Sequence, residues 1–272
     1  YTYSQEIVKY HVPVIKKVLE QYQLFFNNPT IITVGNSYDI QDIGGTDLFI
    51  NYLHEKFERD FERVKKSLIL SIPHIFITGR IEVKEELNKR GIPCIWLPMS
   101  VDINYLNQYK KEDNERYNTR VIFFGNKYFN KKLTYRHWKK LLNQKGIALD
   151  SICNNIYYKQ KIGMDKLIRE EIISVLCDYK YAIASGRCAL ECLALGAKTI
   201  ISGEKMGGLI MNDQDFHKQS LCNLVARGVN TFSEDFETCW ENIDKSILKT
   251  TTTTDILPFL ETELKKTLDK IK

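Results

Sequence analysis

Arg187 and Glu191 stand four residues apart in SGRCALECLALGAKTIISG, residues 185 to 203, directly behind the strand-like YAIA. A Ser-Gly turn that leads from a strand into a helix presents the helix's first amide N–H groups and the positive end of its dipole, a combination suited to an anion. Ser185, Gly186 and the Arg187 amide are therefore read as a phosphate cradle, with Gly186 allowing close approach of the ligand. Arg187 would add a guanidinium to a diphosphate, and Glu191, one turn further, would accept the two hydroxyls of a ribose. Ala189 and Ala194 permit close packing of this helix on its sheet. The same residues also support a plainer reading, in which Arg187 and Glu191 form an i, i+4 surface pair worth about 0.3 to 0.5 kcal/mol on a helix stopped by Gly196.

A base for chemistry at such a site has to come from elsewhere. The loop at residues 35 to 47 follows the β-branched run Thr30 to Val34 and opens at the carboxyl edge, where α/β sheets bind ligands. Gly44 and Gly45 suit a backbone approach there and Asp47 supplies a carboxylate, with Asp39 and Asp42 behind it. Asp47 reads equally well as the N-cap of a helix starting at Leu48. Asp213-Gln214-Asp215 spells DxD but is read as a loop or helix start, and no metal is expected. His11, His54, His74, His137 and His217 show no HxxxH spacing and are read as packing or surface residues, His74 being the reserve candidate should Asp47 fail. No GxSxG or GxxxxGK[ST] occurs, which leaves a serine-hydrolase elbow and a P-loop without support.

The elements that must hold these residues alternate. A helix interrupted by Pro13 is expected over 5 to 26, a strand at Thr30 to Val34, and a helical period from Leu48 through Phe57 and Phe61 to Val64. Short strands are read at Leu68 to Ile72, Ile75 to Thr78 and Cys94 to Leu97, with a helix from Ile81 to Arg90. After Pro98 the polar run to Asn118 is taken as a linker. A second series follows: strand Arg120 to Phe124, helix Leu133 to Gln144, a weak strand near 147 to 155, helix Met164 to Tyr179, strand Tyr181 to Ala184, helix Arg187 to Leu195 and strand Lys198 to Ser202. Such alternation builds parallel sheets. The predicted organisation is an N-terminal Rossmann-like domain at 1 to 98, a linker at 99 to 118, a C-terminal nucleotide-binding domain at 119 to 248, and a last helix within 249 to 272 that packs back on the first domain.

Composition narrows the class. The 272 residues are 43% apolar and 27% charged, enough for an ordinary core, and the net charge of +5 suits an anionic small ligand better than it suits a dedicated nucleic-acid binder. The seven cysteines form no CxxC pair and are read as reduced thiols of a cytosolic protein. The longest apolar runs, such as Val121 to Phe124, fall far below the roughly 18 residues needed to span a bilayer, and YTYSQEIVKY has no signal-peptide h-region.

GRCALECLALG strongly resembles the nucleotide-sugar motif of GT-B glycosyltransferases, and the following GEKMGGLIMNDQDF resembles the glycine loop that often succeeds it. In the same order, ITGRIEVKEELNKRGIPCIWLPMSVD (77 to 102) resembles the family's crossing between domains. VIFFGNKYFNKK (121 to 132) resembles the first strand of its second domain, with its glycine turn and a downstream basic residue. The likeness spans about 77 to 215. It implies two Rossmann-like domains facing a central cleft, the first of them short, and a donor site formed by Gly125, Lys131 or Lys132, Ser185, Gly186, Arg187, Glu191, Gly207 and Gly208. The two lysines read equally as part of a solvated loop. Where many retaining members carry a second glutamate, this chain has Ile183, which leaves the stereochemistry open.

The implied activity is metal-independent transfer of a sugar from a nucleoside diphosphate sugar to a hydroxyl acceptor, a bacterial or phage-type glycan, with no cofactor beyond the donor substrate. An inverting transfer needs a base from the first domain to take the acceptor proton. Three alternatives stay open: glycosylation of a DNA base, which salt would strongly suppress; a nucleotide-sugar epimerase of the same fold; and a non-catalytic nucleotide-sugar binder.

Overall fold

The computed structural model describes residues 7–22, 30–34, 48–53, 64, 74–125, 130–153, 156–159, 162–203, 207–221, 224 and 235–271. The chain is an α/β protein that divides into two compact units, Tyr1–Pro98 with Thr253–Lys272, and Met99–Thr252.

The first unit is built on a four-stranded parallel sheet in the order β1 (Thr30–Val34), β2 (Leu48–Leu53), β3 (His74–Thr78) and β4 (Cys94–Trp96). Pro13 falls in the first turn of α1 (Val12–Glu20), directly after a π-helical turn at Ile7–His11, so the helix changes its hydrogen-bond register at the residue that has no N–H to donate. One face of the sheet, with Ile50, Tyr52, Ile75, Ile77 and Ile95, packs against Ile7, Ile15 and Val18 and against Ile256, Leu260, Leu264 and Leu268 of the last helix, α9 (Thr253–Ile271). The other face, with Leu53 and Phe76, covers Val64 and the Val83 and Leu87 stripe of α2 (Ile81–Lys89).

The helical period read from Leu48 is corrected: Leu48–Leu53 is a strand between β1 and β3. An inner strand buried on both faces carries a near-continuous apolar run, and LFINYL has no alternation to set it apart from a helix. The strand expected at Leu68 to Ile72 lies outside the described residues.

The second unit carries β5 (Tyr117–Phe124), β6 (Ala148–Cys153), β7 (Ile156–Lys159), β8 (Ile162–Lys166), β9 (Tyr179–Ala184), β10 (Lys198–Ser202) and β11 (Gly207–Gly208) in one sheet, ordered β11-β10-β9-β5-β6-β7-β8. Strands β10, β9, β5 and β6 are parallel, while β11 and the β7–β8 pair extend the edges antiparallel. On one face α5 (Arg169–Cys177) and α6 (Arg187–Ala194) pack on Ile122, Phe124, Ala182, Ala184 and Ile201. On the other, α4 (Asn130–Gln144) and α8 (Phe236–Asn242) pack on Val121, Phe123, Tyr181, Ile183 and Ile200. The helix expected from Met164 starts at Arg169, because residues 162–166 complete the antiparallel pair and Glu171 reaches back to the Ile168 N–H at 2.8 Å to fix the helix start.

The linker read at 99 to 118 is also corrected, since these residues fold into the second unit. Asp102 caps α3 (Ile103–Asn107) by accepting the Tyr105 N–H at 3.1 Å, and Val101 and Leu106 are buried. The polar run that suggested a linker ends on Arg116, whose side chain is 1% exposed. Its Nη2 donates to the Lys111 and Leu195 carbonyls, each at 2.7 Å, and so ties this segment to the carboxyl end of α6. Gly196, in the left-handed region at φ +88°, lies beneath that guanidinium, and a Cβ there would meet Arg116 Nη2 at 3.0 Å. Gly196→Ala combines backbone strain with a clash, and a loss of about 1 to 3 kcal/mol is expected in urea denaturation.

In the first unit His11 is fully buried, with Nδ1 3.1 Å from the Tyr52 hydroxyl and Nε2 without a partner among the described residues. Burial pulls its pKa from 6.5 down to about 4. A lowered folded value means that the native state takes up the proton later than the unfolded chain does. The contribution is therefore intact above pH 6.5 and is lost as pH falls through 6.5 toward 4, by about 3 kcal/mol at most. Urea midpoints at pH 7 and pH 4.5 should differ more for the wild type than for His11→Asn, and equal differences would remove His11 as the cause.

Candidate functional site

In the second unit the chain leaves β5 toward β6 and leaves β9 toward β10, on opposite sides and over opposite faces of the sheet. The crevice outside the carboxyl ends of β5 and β9 is thus a topological switch point, the place where open α/β sheets bind ligands. Phe124 and Ala184, the last residues of the two strands, are register partners. Gly125 follows the first, and Ser185 and Gly186 follow the second. A small depression there is lined by Gly125, Thr134, Ala184, Ser185, Ser202 and Gly203.

The backbone geometry explains the glycines. Gly125 has φ 152° and donates its N–H to Ile152 O at 3.1 Å, which ends the strand. Gly186, the N-cap of α6, has φ 62° and ψ −140°, a conformation that side-chain-bearing residues rarely adopt. Its N–H donates to Leu224 O at 2.7 Å. The cradle reading is corrected on this point: the Gly186 amide is turned into the protein, and Arg187 is the first residue of α6.

Arg187 and Glu191 do pair, with Nε donating to Oε1 at 2.8 Å, but not on the surface: the Glu191 side chain is 4% exposed. A third residue completes the arrangement. Arg169, at the start of α5, grips the same carboxylate with both terminal nitrogens, Nη1 to Oε2 at 2.9 Å and Nη2 to Oε1 at 2.7 Å. A carboxylate offers about four acceptor sites, and these contacts fill three. One remains, on Oε2 of a side chain that is 4% exposed, where the expected pair of ribose hydroxyls would use two. The two guanidiniums exceed the one carboxylate they share by a single charge, and Glu170 and Glu171 add two further carboxylates in the first turn of α5. Arg169 Nε is buried and has no partner among the described residues, a condition rare enough in folded proteins to call for a ligand or water.

Arg169 is absent from the residues that the sequence points to: it lies 22 positions from Glu191, and a helix expected from Met164 places it away from the first turn, where the structure has it. The signal available was Ile168-Arg169-Glu170-Glu171, whose Glu171 marks a helix start.

The other expected site residues are dispersed. Lys131 and Lys132 fall in the first turn of α4, and their side chains lie outside the described residues. One turn on, Thr134 donates from Oγ1 to Gly203 O at 3.2 Å at the rim of the depression. Gly207 and Gly208 form the edge strand β11, with Gly207 opposite Ser202. A Cβ on Gly207 would stand 3.1 Å from both Cys239 Sγ and Ile200 Cγ2, so this glycine makes room for core packing rather than for a ligand. Ile183, in the position of the absent glutamate, is fully buried against the α4 face.

Gly44, Gly45 and Asp47, like Asp39 and Asp42, lie outside the described residues. Leu48, bonded to Asp47, pairs with Thr30 at the amino-terminal edge of the sheet, the edge opposite the one where ligands bind. Leu48 also opens a strand, so the N-cap alternative loses its helix. Asp213 and Asp215 open α7 (Asp213–Leu221): Asp213 pairs with Lys249 at 2.7 Å, and Asp215 accepts the Met211 N–H at 3.2 Å. His74 is buried and stacked on Phe76. No helix among the described residues is long and apolar enough to cross a membrane.

Comparison with protein-family models finds no match, and a search of curated proteins finds no significant relative.

Proposed function

We propose that the second unit binds a nucleoside diphosphate sugar at the β5/β9 switch point, and that the chain is a small, metal-independent glycosyltransferase of the GT-B type. The observation that carries this reading is that two strand-ending glycine turns stand at one switch point where α6 begins, and that Arg187, the first residue of that helix, shares the Glu191 carboxylate with Arg169. An inorganic anion alone would not need Glu191. A nucleotide diphosphate uses both features, its phosphates taking the positive end of α6 and the guanidiniums, and a ribose hydroxyl taking the remaining Oε2 site.

In this reading the protein's task in the donor half of the reaction is electrostatic. Charge accumulates on the departing diphosphate as the glycosidic bond to the donor breaks, and preorganised donors facing that oxygen lower the barrier. No step is assigned to Asp47, which lies outside the described residues. A glycan hydroxyl is the acceptor we favour.

The test is a panel of nucleotide sugars, assayed for diphosphate release with and without hydroxyl acceptors. Release that depends on an acceptor supports transfer. Interconversion of donors without acceptor would point to an epimerase, and tight binding without turnover to a sensor; either result would overturn the transferase reading.

A further inference from the structure

The first unit holds a second concavity that the proposed donor site does not use. It is an open groove of about 570 Å³ between α2 and α9, lined as well by the exposed Gly91 turn and by Ile92, Pro93 and the buried Cys94. Two helical stripes form its walls. Lys84 and Asn88 stand one turn apart on α2, and Glu263, Lys266, Thr267 and Lys270 repeat at i, i+3, i+4 and i+7 on α9. The complementary stripes, Val83 and Leu87 on α2 and Leu260, Leu264 and Leu268 on α9, are buried in the cores, which fixes these polar side chains toward the groove.

The groove is electropositive. Its one carboxylate, Glu263, is taken by Lys266 at 2.9 Å. Lys84 and Lys270 make no ion pair among the described residues, as is also true of Lys89 on α2, whereas Arg80 and Arg90 at the two ends of α2 pair with Glu82 and Glu86, and Lys265 on α9 pairs with Glu261. Offsetting the helix dipoles does not account for this charge. The carboxyl ends of α2 and α9 contribute roughly half a negative charge each, against the net of two ammonium charges in the groove.

We infer that this groove binds a soluble phosphate ester of sugar-phosphate size, with Lys84 and Lys270 supplying charge from opposite walls and the Asn88 amide donating a neutral hydrogen bond, while the Thr267 hydroxyl, which donates to Glu263 O at 2.7 Å, is left to accept from a ligand hydroxyl. The volume lies in the range of small-ligand sites. Ammonium groups on flexible stems suit a tetrahedral phosphate, where a flat carboxylate would favour the arginine fork. The Gly91 turn leads into β4 at the amino-terminal edge of its sheet, so a ligand here leaves the carboxyl edge free and acts as an anchor or effector. The inference stands apart from the sugar-nucleotide reading.

Calorimetric titration of the full chain with fructose 1,6-bisphosphate tests it, using the wild type, Lys84→Gln/Lys270→Gln and, as control, Arg187→Ala. Saturable binding is expected for the wild type and for Arg187→Ala, with a loss of roughly tenfold or more in the lysine variant, whose substitutions touch no buried contact. Absence of binding at millimolar probe, equal affinity in the lysine variant, or a loss caused by Arg187→Ala instead would overturn it. A parallel flotation assay compares phosphatidylcholine vesicles with and without phosphatidylglycerol. Lysine-dependent flotation without binding of the soluble ester would overturn the assignment in favour of a lipid headgroup.

Discussion

Asp150→Ala is expected to cost about 3 to 5 kcal/mol and to lower Tm by roughly 6 to 20 °C, the largest effect of any single substitution considered. Asp150 is fully buried on β6 and accepts Arg120 Nε at 2.8 Å and Nη2 at 2.6 Å. The Tyr179 hydroxyl donates to its Oδ2 at 2.6 Å, and the Tyr157 hydroxyl lies 2.6 Å from that of Tyr179. Burial, together with the hydrogen bond to Asp150, pushes the Tyr179 hydroxyl far above its ordinary range, which keeps it a proton donor at every accessible pH. The network joins β5, β6, β7 and β9, so removal of the carboxylate strands one guanidinium and one hydroxyl within the sheet. Two comparisons separate charge from packing. Tyr157→Phe should cost about 1 kcal/mol, since it removes one neutral hydrogen bond. Arg120→Met/Asp150→Leu should recover most of the loss, because a buried pair replaced as a whole leaves no unpaired charge. Thermal and urea unfolding of the three variants decide the matter, and a double variant no better than Asp150→Ala would assign the loss to packing.

The second large effect concerns the donor site. Arg187→Ala should weaken nucleotide-sugar binding by about 1.5 to 3 kcal/mol, a rise in Kd of roughly 10- to 150-fold, with little change in stability. Binding and folding separate here because Glu191 keeps its two-point grip from Arg169 when Arg187 is removed. Calorimetry beside a melting curve reads both quantities. Unchanged affinity would remove Arg187 from the site, while a large fall in Tm would make it a structural residue.

Much of the second unit was legible because its strands are bounded by glycines. The run from Tyr181 to Ser202 reads as strand, turn, helix, glycine stop and strand, and β10 and the start of α6 lie where the residues placed them. Elements without punctuation were misread. LFINYL lacks the alternation of a half-buried strand because both of its faces are covered, and Met164 to Lys166, read as the start of a helix, belong to the edge strand Ile162–Lys166. At the site, the Arg187–Glu191 spacing announced a pair, but only the fold brings Arg169 to it, and only the fold turns the Gly186 amide toward Leu224. Contacts between residues far apart in the chain leave no local pattern to read.

Crystals soaked with uridine and guanosine diphosphate sugars test the donor-site proposal most directly. The expected result is diphosphate density at the Gly125 and Ser185 turns, within hydrogen-bonding reach of the α6 amino terminus and the Arg187 guanidinium, with the ribose toward Glu191. Ligand bound elsewhere, or a crevice left empty while solution binding is tight, would contradict it.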